Sequence, residues 1–200
     1  MALPPVLGDR RRRRIGLLGG SFNPAHRGHR HISLLALKLL ALDEIWWLVS
    51  PQNPLKPARG MAPFADRLAA AQAVARHPRI KITDIEARLG SHFTVQTLTA
   101  LRSRFPASRF VWLMGADNLR QISQWHDWTQ IFALAPIAVF DRPAYSLAAL
   151  GGLAAQRFAR WRVEPSRARH LVEMTPPAWV FFATRLDSLS ATAIRQGRHP

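Results

Sequence analysis

Two imidazoles three residues apart, His26 and His29, close the stretch Gly19-Gly20-Ser21-Phe22-Asn23-Pro24-Ala25-His26-Arg27-Gly28-His29, where a short apolar run gives way to a helix-forming one. Gly19 and Gly20 let backbone approach a phosphate with no side chain in the way, and Ser21 can donate a hydroxyl. Histidines at this spacing across a helix start can put both rings on one face, beside a positive dipole end that attracts anions. Their natural target is a phosphorus centre that gains charge. Fixed donors aimed at such a centre stabilise its transition state more than its ground state, and that difference accelerates the reaction. A His-x-x-His pair can also bind metal, but no nearby carboxylate or cysteine completes a shell, so no metal site is assigned to the chain itself.

A second set of groups suited to phosphate lies at the far end, in Ser190-Ala191-Thr192-Ala193-Ile194-Arg195. Ser190 suits the N-cap of a short helix, where its hydroxyl and the following amides can face phosphate oxygens. Arg195 adds a permanent planar charge able to grip β- and γ-phosphates and a departing pyrophosphate.

The elements that must carry these groups are legible as an alternation. Residues 15–18 form an apolar run ending in Gly-Gly, a buried strand, and a helix follows from about Arg27 with Ile32, Leu35, Ala36, Leu39 and Leu40 on one stripe. Residues 45–49 are apolar without alternation, as in a parallel strand covered on both faces. A proline-rich loop over 50–60, a helix over 63–76 and a strand over 80–82 follow. Then come a helix over 94–104, with Val95, Leu98 and Leu101 on one side, and a strand over 110–114 ending in Gly115-Ala116-Asp117. Further on the pattern predicts a helix over 125–134, a strand over 137–140 stopped by Asp141-Arg142-Pro143, a helix over 148–161, a strand over 180–183 and a short helix over 190–196. Residues 163–177 read as a polar excursion. This is an α/β pattern: a Rossmann-like, doubly wound, mostly parallel sheet with helices on both faces. In such a sheet ligands lie at the carboxyl ends of the strands, near the point where strand order reverses. Each candidate motif follows a predicted strand.

Composition bounds the function. At 200 residues and 48% apolar, residues 15–200 suit one domain with a substantial core, preceded by a basic leader, residues 1–14, that reads as disordered. The absence of cysteine excludes disulfides, thiolate metal sites and cysteine nucleophiles, and makes a reduced, cytoplasmic setting the default. No apolar run approaches the roughly 20 residues that span a bilayer, and no membrane partner is expected. The net charge of +16 and the run Arg10 to Arg14 invite a nucleic-acid reading. All but three of the 28 basic residues are arginines dispersed along the chain, which fits compositional bias better than a patch, so no nucleic-acid partner is expected either. An anionic small substrate would feel the same field.

Gly19 to His29 resembles the signature of the nucleotidyltransferase superfamily with a Rossmann-like fold, and Ser190 to Arg195 is similar to its late Ser-x-Thr-x-Ile-Arg element. Within that superfamily the chain most resembles the bacterial nicotinate-mononucleotide adenylyltransferase family, from Ile15 to Arg195. Residues 51–57 look like the family's Asn/Pro-rich loop, with Lys56 as the basic residue near the triphosphate. Residues 91–98 are similar to its Thr-x-x-Thr-Leu segment, in which Thr94 borders the acceptor nucleotide. Gly115-Ala116-Asp117-Asn118-Leu119 looks like its Gly-x-Asp-x-Leu element, and Asp141-Arg142-Pro143 its Arg-Pro pair. Trp125-His126-Asp127-Trp128 occupies the place of an aromatic segment that stacks on the pyridine ring; Trp125 and Trp128 also suit a core, and Asp117 a helix cap. Ser21 and Asn23 replace the commoner Thr and Asp, Leu189 the usual Ile, and the chain stops sooner after Arg195 than many members.

The resemblance implies adenylyl transfer from ATP to nicotinate mononucleotide, giving nicotinate adenine dinucleotide and pyrophosphate, in a monomer or homodimer. It implies His26, His29, Lys56 and Arg195 as catalytic residues, with Mg²⁺ arriving on ATP. ATP would meet Gly19, Gly20, Ser21, Phe22, His26, His29, Gly115, Asp117, Ser190, Thr192, Ile194 and Arg195. The acceptor would meet Ser21, Asn23, Thr94, Trp125, His126 and Arg142. Its nearest rival is another enzyme of the superfamily, such as phosphopantetheine adenylyltransferase. The readings from other classes are a nucleotide-binding or RNA-binding regulator without turnover and a basic interaction protein.

Overall fold

In the computed structural model, which describes residues 4, 5, 7–51, 60–141 and 146–183, the apolar runs pair into a seven-stranded sheet whose strands are all parallel to their neighbours. In chain order the elements are β1 (Arg14–Gly20), α1 (Arg27–Leu39), β2 (Glu44–Val49), α2 (Phe64–Ala75), β3 (Ile80–Thr83), α3 (Ile85–Leu89), α4 (Thr94–Arg104) and β4 (Arg109–Gly115). They continue with α5 (Ala116–Gln121), α6 (Trp128–Leu134), β5 (Ile137–Phe140), α7 (Ser146–Leu150), α8 (Leu153–Arg157), β6 (Arg162–Val163) and β7 (Trp179–Phe182). The sheet order is β3-β2-β1-β4-β5-β7-β6. The chain therefore winds outward from β1 to β3, then crosses back to β4, and the order reverses between β1 and β4. That reversal opens a crevice at the carboxyl ends of the two central strands.

Alternation along the strands divides the core into two layers. Ile15, Leu17, Trp46, Leu48, Trp112, Met114, Ile137 and Val139 pack with α4, α5, α6 and α8 on one face. Leu18, Ile45, Trp47, Val49, Val111, Leu113, Ala138 and Phe140 pack with α1 and α2 on the other. A strand covered on both faces has no solvent side, which is why these segments read as unbroken apolar runs. The doubly wound expectation holds.

Several local expectations are corrected. The predicted helix over 148–161 breaks at Gly151-Gly152 into α7, α8 and a 3₁₀ turn, Ala159–Trp161. The helix expected from Trp125 starts at Trp128, after a 3₁₀ turn over Ile122–Gln124, because Asp127 takes a left-handed conformation (φ 48°) that a helix cannot continue through. The excursion over 163–177 contains a 3₁₀ stretch, Pro165–Glu173, whose Ala168, Leu171 and Val172 are buried in the second layer. No helix of the described residues is long and apolar enough to cross a membrane.

The basic stretch expected to be a disordered leader is tied to the body from Asp9 on. Arg13 pairs with Asp9 at 2.7 Å and with Glu44 at 2.6 Å, and its guanidinium lies 5.7 Å from the Trp46 ring centre. The Arg109 amide donates to the Arg13 carbonyl, the Ser108 hydroxyl donates to the Arg11 carbonyl, and β1 itself begins at Arg14. Two carboxylates and an extended ladder hold down what composition alone reads as solvated charge. The helix expected over 190–196 lies outside the described residues.

Candidate active site

The histidine motif leaves the end of β1 at the crevice. Gly19 is required there for a packing reason: a Cβ at this position would come within 2.6 Å of the Trp112 ring of β4. Gly20 closes the strand, and its carbonyl accepts the Ser50 amide from the end of β2 at 2.9 Å. Phe22 then takes a left-handed backbone, φ 47°, which costs about 1–3 kcal/mol for a residue with a side chain. Its packing holds the strain: the buried ring stacks on Trp47 at 5.0 Å and lies 4.8 Å from His29.

His26 occupies the N-cap of α1 in extended conformation, and His29 stands in its first turn. Their ring centres are 3.9 Å apart, at the end of a run of rings that continues through Phe22 to Trp47. The His26 amide donates to His29 Nδ1 at 3.2 Å. That bond has a chemical consequence. A ring nitrogen that accepts a backbone N–H carries no proton, so the neutral His29 ring bears its hydrogen on Nε2. Behind it, the Trp47 indole donates to Ser33 Oγ at 2.7 Å and the Ser33 hydroxyl donates to the His29 carbonyl at 2.8 Å. The helix start is thus anchored to β2.

Across the crevice, β4 ends at Gly115, and Asp117 follows in α5. The Asp117 carboxylate occupies the space that a Cβ on residue 115 would fill. Leu18 and Leu113 are partners in the ladder, so Gly20 and Gly115 lie level, each two residues further on. The nucleotide-side expectations Gly19, Gly20, Ser21, Phe22, His26, His29, Gly115 and Asp117 therefore come from two neighbouring strand ends.

A second group gathers at the start of α4. Thr94 is the first residue of that helix, and Phe93 before it stacks on His126 with ring centres 4.4 Å apart. Trp125 is half-buried against the same core layer as Val95. His126 is exposed and lies 3.2 Å from Asp127. Thr94, Trp125 and His126, predicted on the acceptor side from segments thirty residues apart, are brought together. Asn23 is placed differently from these. Its amide donates to the Gly60 carbonyl at 3.0 Å and its Oδ1 accepts the Ala62 amide at 3.3 Å, which ties the histidine motif to the turn before α2. Lys56, Arg142, Ser190, Thr192, Ile194 and Arg195 lie outside the described residues.

Two buried charged residues were not singled out by the spacing of motifs. Arg67 of α2 is 2% exposed and donates to the carbonyls of Ser21 and Ser50 at 2.7 Å, Pro51 at 2.8 Å and Ala62 at 3.1 Å. Burial lowers its pKa, and one guanidinium holds the segments that follow β1 and β2 together. Glu86 of α3 is buried as well. Burial pushes its carboxyl up to about 7, against hydrogen bonds from Thr97 and Ser50 that favour the charged form. A single charged residue within a helix gives no sequence signal of either role.

Among proteins of known family, the cytidylyltransferase-like family model matches residues 17–197. A protein of Parvibaculum lavamentivorans named "Probable nicotinate-nucleotide adenylyltransferase" is 52% identical over 92% of this chain and 91% of its own length. A protein of the same name from Cereibacter sphaeroides is 54% identical over 90% of this chain and 96% of its own. The solved Plasmodium falciparum nicotinic acid mononucleotide adenylyltransferase complexed with NaAD superposes with a TM-score of 0.67, over 92% of this chain and 83% of that one, at 17% identity. That likeness concerns the fold. With the strand order and the crevice already described, the family match and these identities over nearly the whole chain show that it belongs to the cytidylyltransferase-like family and, within it, to the nicotinate-nucleotide adenylyltransferases.

Proposed function

We propose that this chain transfers the adenylyl group of ATP to nicotinate mononucleotide, by direct in-line displacement. The observation that carries the reading is the His26–His29 pair at the crevice between β1 and β4, in a chain about half identical to enzymes named for this reaction. The acceptor's 5′-phosphate oxygen forms a bond to the α-phosphorus of ATP. The bond from that phosphorus to the bridging oxygen of the β-phosphate breaks, and pyrophosphate leaves with the electron pair. Both products retain all their atoms, and no residue of the chain is modified.

Catalysis on this reading is positioning and electrostatics. His29, with Nδ1 engaged by the His26 amide, presents Nε2–H toward the α-phosphate. A donor held by its own helix cap needs no reorganisation as charge develops. His26 acts beside it, while Lys56 and Arg195 are assigned to the departing charge. Gly19, Gly20, Ser21, Phe22, Gly115, Asp117, Ser190, Thr192 and Ile194 are assigned to ATP, and Ser21, Asn23, Thr94, Trp125, His126 and Arg142 to the acceptor. Among the described residues no three His, Asp or Glu side chains converge on a cation site. Mg²⁺ arriving on ATP would be held by triphosphate oxygens and water and would neutralise charge on the leaving group.

The test is pyrophosphate release from MgATP with nicotinate mononucleotide, nicotinamide mononucleotide or phosphopantetheine as acceptor. Release is expected with nicotinate mononucleotide above the other two. Release with phosphopantetheine alone would overturn the acceptor, and no release with any of them would overturn the enzyme reading.

A further inference from the structure

The carboxyl of Glu86 belongs to neither group of assigned residues, yet its contacts reach both. Thr97 Oγ1 donates to Glu86 Oε1 at 3.1 Å, and the Ser50 hydroxyl is a second hydrogen-bond donor to the same carboxyl. The Ser50 amide in turn holds the Gly20 carbonyl, at the point where the histidine motif begins. Thr97 stands one turn into α4, whose first residue is Thr94 and whose cap residue, Phe93, stacks on His126. Ser91 completes the chain of groups: its hydroxyl is 2.9 Å from Thr97 Oγ1 and its amide donates to the Glu86 carbonyl at 3.0 Å. Gly90, at φ 63°, reverses the backbone after α3 so that Ser91 can reach back.

Proton counting shows what this carboxyl controls. Thr97 has one hydroxyl proton, within reach of both Glu86 Oε1 and the Phe93 carbonyl, the latter at 3.3 Å. A carboxylate only accepts, so it draws the Thr97 and Ser50 protons to itself, and Ser91 then donates to Thr97. A neutral carboxyl donates one proton of its own and accepts more weakly, so its pull on the Thr97 proton slackens in favour of the Phe93 carbonyl and the Ser91 hydroxyl. The charge on Glu86 therefore sets the direction of hydrogen bonding through the first turn of α4.

We propose that Glu86 is a positioning residue for the acceptor nucleotide, its carboxylate locking the start of α4 to the end of β2 and so to the histidine motif. The proposal rests on the adenylyl-transfer reading for which substrate faces α4. Because burial brings the carboxyl to about 7, both forms exist near neutral pH. Its partners from β2 and α4, Ser50 and Thr97, are neutral. The charged groups on the elements around it are Arg67, which grips the Ser50 carbonyl, Asp84 at the cap of α3 and Arg88 within it, 3.8 Å apart, Glu44 at the start of β2, and Arg102 and Arg104 in the last turn of α4. His92, exposed before α4, is the nearby imidazole in sequence.

The experiment compares wild type, Glu86→Gln and Ser50→Ala between pH 6 and 8.5, with KM for nicotinate mononucleotide and for ATP measured separately and nicotinate mononucleotide binding followed by calorimetry. At pH 8, Glu86→Gln is expected to raise the acceptor KM roughly tenfold, the cost of one lost charged hydrogen bond, and to leave the ATP KM within about twofold. The gap between wild type and variant should close as pH falls below 7, where the wild-type carboxyl is as neutral as the amide. Titratable groups other than Glu86 are common to both proteins and cancel in the comparison. Ser50→Ala removes a donor that favours the charged form, and should move the closing of that gap to higher pH. Equal losses in both KM values, or a gap that does not change with pH, would reduce Glu86 to a packing role and overturn the proposal. If Glu86→Gln does not fold, the direction of the Ser50→Ala shift decides. Absence of turnover in wild type counts against the proposed reaction alone, since the calorimetric comparison needs no chemistry.

Discussion

Replacing Glu86 by Gln should make the protein more stable at pH 8 and leave its stability nearly unchanged at pH 4. The magnitude follows from the carboxyl's surroundings. Its ordinary value is 4.5, and burial raises it to about 7 in the folded protein, while the unfolded chain returns it to the ordinary range. Below 4.5 both states hold the proton and the group is neutral on either side of the equilibrium. Between 4.5 and 7 the unfolded state loses its proton first, so stability falls by about 1.4 kcal/mol per pH unit. Above 7 both states are ionised and the loss is complete, at about 3 kcal/mol for a rise of this size. Glutamine is nearly isosteric and carries no charge to desolvate. Unfolding by urea at a series of pH values, with wild type and variant side by side, reads the difference directly. A difference that grows from near zero at pH 4 to about 3 kcal/mol at pH 8 is expected. A difference independent of pH would refute the reasoning, because it would mean that folding does not change the proton affinity of this group. On the expected result the residue stabilises the fold least where the proposed enzyme function needs it charged, a trade of stability for function.

Other substitutions probe the remaining parts of the crevice. His29→Ala removes the Nε2–H donor and the acceptor for the His26 amide; turnover is expected to fall by about 10²–10³ with ATP binding partly retained, measured by pyrophosphate release and calorimetry, and unchanged turnover would remove this ring from the chemistry. Gly19→Ala places a methyl group 2.6 Å from the buried Trp112 ring; overpacking of about 1–3 kcal/mol should lower Tm by several degrees, and an unaltered Tm would show that the ring yields freely. Arg67→Lys offers its donors from one point instead of a fork and cannot span four carbonyls; both Tm and kcat/KM should fall, and wild-type values for both would show that the guanidinium does not hold the two segments in register.

The inner strands were legible because each carries apolar residues on both sides, and a segment such as Ile45-Trp46-Trp47-Leu48-Val49 has no other stable place than a doubly covered sheet, whereas the two-residue edge strand β6, Arg162–Val163, carried no such pattern and was not expected. The histidine spacing was legible too, since a helix start relates its residues by local geometry alone; the rings do meet, at 3.9 Å. What could not be read depends on partners distant in the chain. Arg67 is one basic residue among 28, and only the convergence of the ends of β1 and β2 turns it into a clasp. Glu86 sits in Asp-Ile-Glu-Ala-Arg-Leu, a stretch too short to show a period, and its burial is decided by Ser50 and Thr97. Glu44 likewise settles the fate of Arg13 from 31 residues away, which is why the basic stretch looked free. That the missing side chain of Gly19 also makes room for Trp112 needs the register of β1 against β4, which the sequence does not carry.

Among the described residues the two outermost strands of the sheet, β3 and β6, are four and two residues long, and each brings a cation to the rim, Lys81 on one and Arg162 on the other, the latter lying over Trp179 and Phe181. An open parallel sheet has two such rims, and each is a row of amides and carbonyls that another chain could extend. A rim this short offers an incoming strand only a few bonds and confronts it with like charge from its own copy. Such margins disfavour edge-to-edge pairing between copies of this chain, and the formal net charge of +16 adds repulsion between them.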